Sequence, residues 1–178
     1  MGVKERLSEV QSEIVTDWFK STMKEYSGKA AAVYTNSGNQ FANPVGSTFS
    51  KAMETIMSNL VGDEDNQEEV KSKLDDVVRI RALQNFSPSD SLEFIFRLKD
   101  ILLKYLEKDL NAGNFRELLK IEAEIDRLTQ ICFDTYAKSR EKLFELRNRE
   151  IQSQAQVLLK RANIEYSFDK KSSFSPCS

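Results

Sequence analysis

Apolar residues recur at intervals of three and four along most of the chain, and the elements follow from that spacing. Between Lys4 and Glu25, the residues Leu7, Val10, Ile14, Trp18, Phe19 and Met23 form one stripe, which predicts an amphipathic helix. A second helix is expected from about Ser47 to Leu60, with Phe49, Met53, Ile56, Met57 and Leu60 on one side and Gly62 as its stop. The stretch between them, Ser27 to Gly46, holds three glycines, Pro44 and three asparagines without sustained periodicity. It reads as a long loop anchored by Phe41, and long structured loops often carry function.

Three later helix starts share one device. Asn66 with Glu69, Ser87 with Asp90, and Asn114 with Glu117 each set a side-chain acceptor at the N-cap and a carboxylate three residues on. Pro88 follows Ser87 at a position where its missing N–H costs nothing. Helices are therefore expected near 67–86, 88–111 and from 115 onward. The middle one of these carries Leu92, Phe94, Ile95, Phe96, Leu98, Leu102, Leu103 and Leu106, with Glu93, Arg97, Asp100, Lys104 and Lys108 confined to a strip. It should be largely buried at the centre of a bundle.

After Asn114 there is no glycine, and no proline until Pro176, so one helical pattern can run from Phe115 to about Ala162. At about 1.5 Å per residue that is roughly 70 Å, against a domain on the order of 35 to 40 Å across, so the helix must break or protrude. Leu118, Leu119, Ile121, Ile125, Leu128, Ile131, Phe133 and Tyr136 are core-like; from Lys138 the sequence is charge-rich with a thin apolar seam. The reading is all-α: a globin-like or irregular bundle of five or more helices with a long C-terminal helix. Residues 1–137 form the bundle, 138–166 a contact helix continuous with it, and 167–178 a polar tail expected to be disordered.

Charge and chemistry narrow the function. Lys and Arg total 26 against 28 Asp and Glu, so no basic excess exists to bind a nucleic-acid backbone. The absence of histidine removes Ser/His/Asp and Cys/His triads, His-ligated haem and the usual mixed zinc sites. No catalytic residue, metal site or cofactor is expected. Ser27-Gly28-Lys29 lacks the rest of a phosphate loop, having Met23 and Ala30 where that motif needs glycine and a hydroxyl. Asp75 and Asp76 diverge by about 100° on a helix and cannot pair as acid and base. Arg6 stands where a myristoylation motif wants Ser or Thr. No segment approaches the roughly 18 apolar residues of a membrane span, so a cytoplasmic protein without membrane insertion is expected. Cys132, within a helical pattern, reads as a small buried hydrophobe.

Two groups of residues stand out. Arg81 falls three and four residues after Val78 and Val77, on the stripe that should face the core, where a charge needs a partner. Asp126 is the first candidate and Glu122 the second; Arg79 and Gln84 complete a candidate structural or ligand site. The second group is the seam after Lys138, where Arg140, Leu143, Leu146, Arg147, Glu150 and Ile151 form a candidate contact surface for a protein partner or for a second copy in a homodimer. The seam is too irregular for a strict heptad. Whether a small apolar ligand sits between the helices stays open.

Three stretches together resemble the RsbRD N-terminal domain family, the non-catalytic input domain of RsbT co-antagonist proteins of the bacterial stressosome. They are Phe41 to Gly46; Arg79-Ile80-Arg81-Ala82-Leu83-Gln84-Asn85-Phe86-Ser87-Pro88-Ser89, continuing through Phe94; and Tyr136 to Lys142 with Leu146-Arg147 and Glu150. The likeness spans about residues 10 to 160. It implies a regulatory sensing or interaction domain, related in role to haem-free globin-like input domains that tend to dimerise. In the stressosome proteins such a domain precedes a STAS domain bearing phosphorylated threonines; here the sequence ends shortly after the exit helix, and a stand-alone member signalling through a separate partner is expected. The alternative is a constitutive adaptor or assembly subunit of a redox or signalling complex.

Overall fold

The computed structural model describes residues 2–24, 43–62 and 66–162. Phe41, most of the Ser27 to Gly46 loop, and the tail from 167 lie outside the described residues. All the regular structure described is helical: α1 Val3–Glu9, α2 Gln11–Met23, α3 Pro44–Val61, α4 Gln67–Leu83, α5 Pro88–Leu106 and α6 Phe115–Arg161. The all-α reading with a long C-terminal helix holds, and α6 runs unbroken through its 47 residues.

The boundaries moved where local chemistry overrode periodicity. The first predicted helix is two, because Val10 adopts φ −106° and ψ 15° and serves as C-cap of α1 and N-cap of α2. Its stripe survives the break: Leu7, Val10, Ile14 and Trp18 are all buried. Helix α3 starts three residues before the expected Ser47. The buried side chain of Asn43 accepts the Gly46 N–H at 2.8 Å, and Pro44 occupies the first turn, where a missing N–H is harmless.

Of the three predicted caps, Ser87 performs as expected, accepting the Asp90 N–H at 3.1 Å. Asn66 does not cap α4; its side-chain N–H donates to Glu69 instead. Asn114 turns its side-chain oxygen to the Asn111 N–H at 2.8 Å, within the turn that follows α5. Glu117 is released from the expected capping box and caps another helix: its carboxylate accepts the N–H groups of Val3 at 2.8 Å and Lys4 at 3.0 Å, at the start of α1.

One core joins α1 to α5 with the first part of α6. Trp18 on α2 stacks on Phe94 of α5 at 6.2 Å between ring centroids, while Phe49 of α3 meets the same ring edge-on at 6.0 Å. The Trp18 indole N–H donates to the Phe94 carbonyl, fixing α2 against α5. From α6 the buried residues are Leu118, Ile121, Ile125, Leu128, Cys132 and Tyr136, spaced by three and four.

Two expectations about burial fail. Phe96 and Leu103 of α5 are 49% and 40% exposed, and Leu119 and Phe133 of α6 are 48% and 55% exposed. Apolar residues occupy more of each helix's circumference than the bundle covers, so α5 is not buried on all sides.

The chain divides into two compact units, Met1–Ser139 and Arg140–Ser178. In the second, the described residues are helical and expose Phe144, Leu146, Ile151, Val157 and Leu158.

Candidate functional site

The sharpest local geometry in the first unit is the corner between α4 and α5. Helix α4 stops because Asn85 takes a left-handed conformation at φ 68°. That turns the chain so that Phe86 N–H bonds back to the Arg81 carbonyl at 3.2 Å and Asn85 N–H to Ala82 at 3.3 Å, the paired pattern of a Schellman stop. Asparagine reaches this region at lower cost than other non-glycine residues. Ser87 and Pro88 then start α5 immediately. The sequence Asn85-Phe86-Ser87-Pro88 is thus a stop and a start with one residue of travel between them.

Arg81 is enclosed by this corner. It has no exposed surface, and its guanidinium carbon lies 5.2, 5.1 and 5.5 Å from the ring centroids of Phe49, Phe86 and Phe94. One terminal N–H donates to the Asp90 carbonyl in the first turn of α5. The π faces offer favourable electrostatics to a delocalised cation withdrawn from water. Phe86 is held from its other end, since its carbonyl accepts the Tyr136 hydroxyl of α6 at 2.8 Å. Arg81 therefore ties α3, α4 and α5 together, and Phe86 extends the tie to α6.

The expected pair of Arg81 with Asp126 does not form. Asp126 follows buried Ile125, so it is turned about 100° away from the inward stripe of α6, and its carboxylate accepts the Lys99 ammonium at 2.6 Å. Glu122 is half-buried on the same helix. Arg79 and Gln84 are exposed, so neither shares the enclosure of Arg81. Phe49, Phe86, Phe94, Asn85 and Tyr136 complete the corner, and the sequence reading did not assign them to the surroundings of Arg81. A signal for part of it existed: an asparagine between a helical pattern and Phe-Ser-Pro, with Phe94 following on the next helix.

The second candidate group lies in the Arg140–Ser178 unit. Arg140 and Leu143 are half-buried; Leu146 and Ile151 are 52% and 63% exposed, and Arg147 and Glu150 are also exposed. This gives a helix that exposes apolar side chains among charges of both signs. Elsewhere, an open groove of about 650 Å³ is lined by residues of α1, α2 and α3; among the described residues that line it, Val15 and Phe19 are the apolar ones. Cys132 is buried as expected, and burial pushes its thiol up to about 12.

Residues 12–151 match the family described as RsbT co-antagonist protein rsbRD N-terminal domain. An uncharacterized protein of Archaeoglobus fulgidus is 30% identical over 93 residues, which cover 52% of this chain and 58% of that protein. The chain thus spans little more than half the length of that relative. No solved structure matches it.

Proposed function

The chain belongs to the RsbRD N-terminal domain family, a regulatory input family rather than an enzyme class, and we propose that it is a sensor or signalling domain acting by protein–protein contact. The observation that carries this is α6. Its first part supplies Leu118 to Tyr136 to the core, and the same unbroken helix continues into residues that expose Phe144, Leu146 and Ile151. A helix that is core at one end and open apolar surface at the other can pass a change of packing to a partner.

In this reading the protein is cytoplasmic, self-associates as a homodimer and answers to a stressosome-related pathway or a stand-alone counterpart of one. Arg140, Leu143, Leu146, Arg147, Glu150 and Ile151 receive the partner, and the Arg81 corner is the joint whose two packings the signal biases. No described helix is long and apolar enough to cross a membrane, which agrees with action on a protein in aqueous solution.

The test is affinity capture from the native cell with the full chain and with its Leu146→Glu, Ile151→Glu variant. A partner held by the wild type and lost by the variant supports the reading; capture of the same partner by both removes the seam from it. Hydrogen exchange with and without that partner separates switch from adaptor. Changed protection at the Arg81 corner supports a switch, whereas change confined to the partner's footprint supports a constitutive adaptor.

A further inference from the structure

The N-terminal helix α1 is short, and charged groups pin its rim. Two of its seven residues, Val3 and Leu7, are buried, and with Val10 beyond its end they form the apolar strip that seats it on α3 and α5. Around that strip run polar ties to three different elements. The Lys4 ammonium donates to the Gly62 carbonyl, at the end of α3, at 2.8 Å. The Arg6 guanidinium lies 3.0 Å from the Asp109 carboxylate, in the turn after α5. Glu117, in the first turn of α6, accepts the Val3 and Lys4 N–H groups at 2.8 and 3.0 Å.

These ties lay α1 across the end of the bundle where α3 and α5 finish and α6 begins. The first turn of α6 hangs on the same residues. Its Phe115 N–H bonds to the Asn111 carbonyl at 3.1 Å, and those of Glu117 and Leu118 bond to the Asn114 carbonyl at 3.0 and 3.3 Å. The Asn114 side chain in turn donates to the Asp109 carbonyl at 2.8 Å. Asp109 is therefore shared: its carboxylate holds α1 and its carbonyl holds the turn from which α6 starts. When α1 leaves, Asp109 and Glu117 lose their partners on it together.

The other end of α1 is built to give. Val10 breaks the helical path at φ −106° and ψ 15°, and its N–H reaches the Arg6 carbonyl over a long 3.4 Å. A swing about Val10 leaves α2 intact. The seat is also weaker than that of α2, whose Ile14, Trp18 and Met23 have no exposed surface, because α1 contributes fewer apolar side chains and the Arg6 and Asp109 side chains are 30% and 33% exposed to water.

We propose that α1 is a latch on α6: it opens as a unit about Val10 while α2 to α5 stay folded, and its closing through Glu117 and Asp109 fixes the first turn of α6. The inference rests on the reading above that α6 carries the output and adds its regulation. A closed latch holds α6 at its start, and an open one frees that turn to shift.

Native-state hydrogen exchange of the full chain, followed amide by amide at fixed pH over a range of low urea concentrations, tests the latch in the absence of any partner. The Lys4 and Leu7 amides should be about 100-fold less protected than those of Trp18 and Leu98, with a weak dependence on urea because the opening exposes little surface. The Leu118 amide should share the protection and the urea dependence of α1. Glu117→Ala should lower the protection of Leu7 and Leu118 by the same factor, about five-fold, the size of a lost cap. If the α1 amides match Trp18 and Leu98 in protection and urea dependence, α1 leaves only on global unfolding and the latch is overturned. A separate opening of α1 with Leu118 as protected as Leu98, or unchanged Leu118 exchange in Glu117→Ala, would overturn its hold on α6. These outcomes are independent of whether Leu146 and Ile151 receive a partner, so each reading can fail without the other.

Discussion

The carboxylate of Glu117, early in α6, accepts the N–H of Val3 at 2.8 Å, and with the Lys4 bond at 3.0 Å it closes the N-terminus of α1 from a distance of 114 residues. Those two backbone N–H groups hold the Glu117 carboxyl below its ordinary value, with the nearby Lys4 and Lys120 charges adding to the effect. A carboxyl lowered on folding contributes stability above its unfolded value and loses it as the pH falls through the folded one. Glu117→Ala should cost about 1 kcal/mol at neutral pH, the size of a lost cap. Glu117→Gln should cost less, since one neutral acceptor remains. Urea melts from neutral pH downward check the sign: the gap between wild type and Glu117→Gln should narrow below about pH 4.5.

Arg81 has no exposed surface and is surrounded by three aromatic rings, so its aliphatic stem and its charge are separable contributions. Arg81→Ala removes both and leaves a cavity between α3, α4 and α5; a loss of about 2–5 kcal/mol is expected, as for large core truncations. Arg81→Met keeps much of the volume and should lie between alanine and wild type. Two variants as stable as wild type in denaturant titration would show that the guanidinium is not enclosed in solution.

Asn85 carries a positive φ of 68° at the helix stop that aims Phe86 back over Arg81. Glycine adopts that conformation without steric cost, so Asn85→Gly should be within a few tenths of a kcal/mol of wild type. Asn85→Val places a β-branched side chain where it is strained and should destabilise by about 1–2 kcal/mol. Thermal melts of the pair decide it, and a tolerated valine would mean that the corner is not the Schellman stop described.

Helix existence was legible because it depends on spacing alone: Leu7, Ile14 and Trp18, or Ile121, Ile125 and Leu128, announce their face whatever they pack against. Boundaries were less so. Val10 divides α1 from α2 by a backbone turn that leaves the apolar period intact, and periodicity cannot register it. The long-range partners were the least legible. Arg81 was recognised as a buried charge, but its surroundings are rings from α3, α5 and the corner itself, and Asp126 was assigned to it from a helical phase wrong by one position. Glu117 looked like a local cap because its spacing from Asn114 is right for one. Which N–H groups a carboxylate finally meets depends on how α1 docks, and no local pattern contains that. The exposure of Phe96 and Leu119 was hidden for the same reason, since an apolar residue reads as core until the elements around it are placed.

Cys132 offers a probe of how far the core opens. It has no exposed surface, and burial, with a smaller contribution from the Asp75 charge, raises its thiol to about 12. Because the thiolate is the reactive form, a buried thiol with so high a value is inert while the fold is closed. In a Cys177→Ser background, labelling by a disulfide reagent should be far slower at neutral pH than that of a free thiol. Its rate should instead rise with denaturant, tracking the opening of the α4–α6 packing around Asp75 and Thr135, whose side chains hydrogen-bond beside it. Rapid labelling in native buffer would mean that α6 separates from α4 without global unfolding, and would identify that seam as the element a signal moves.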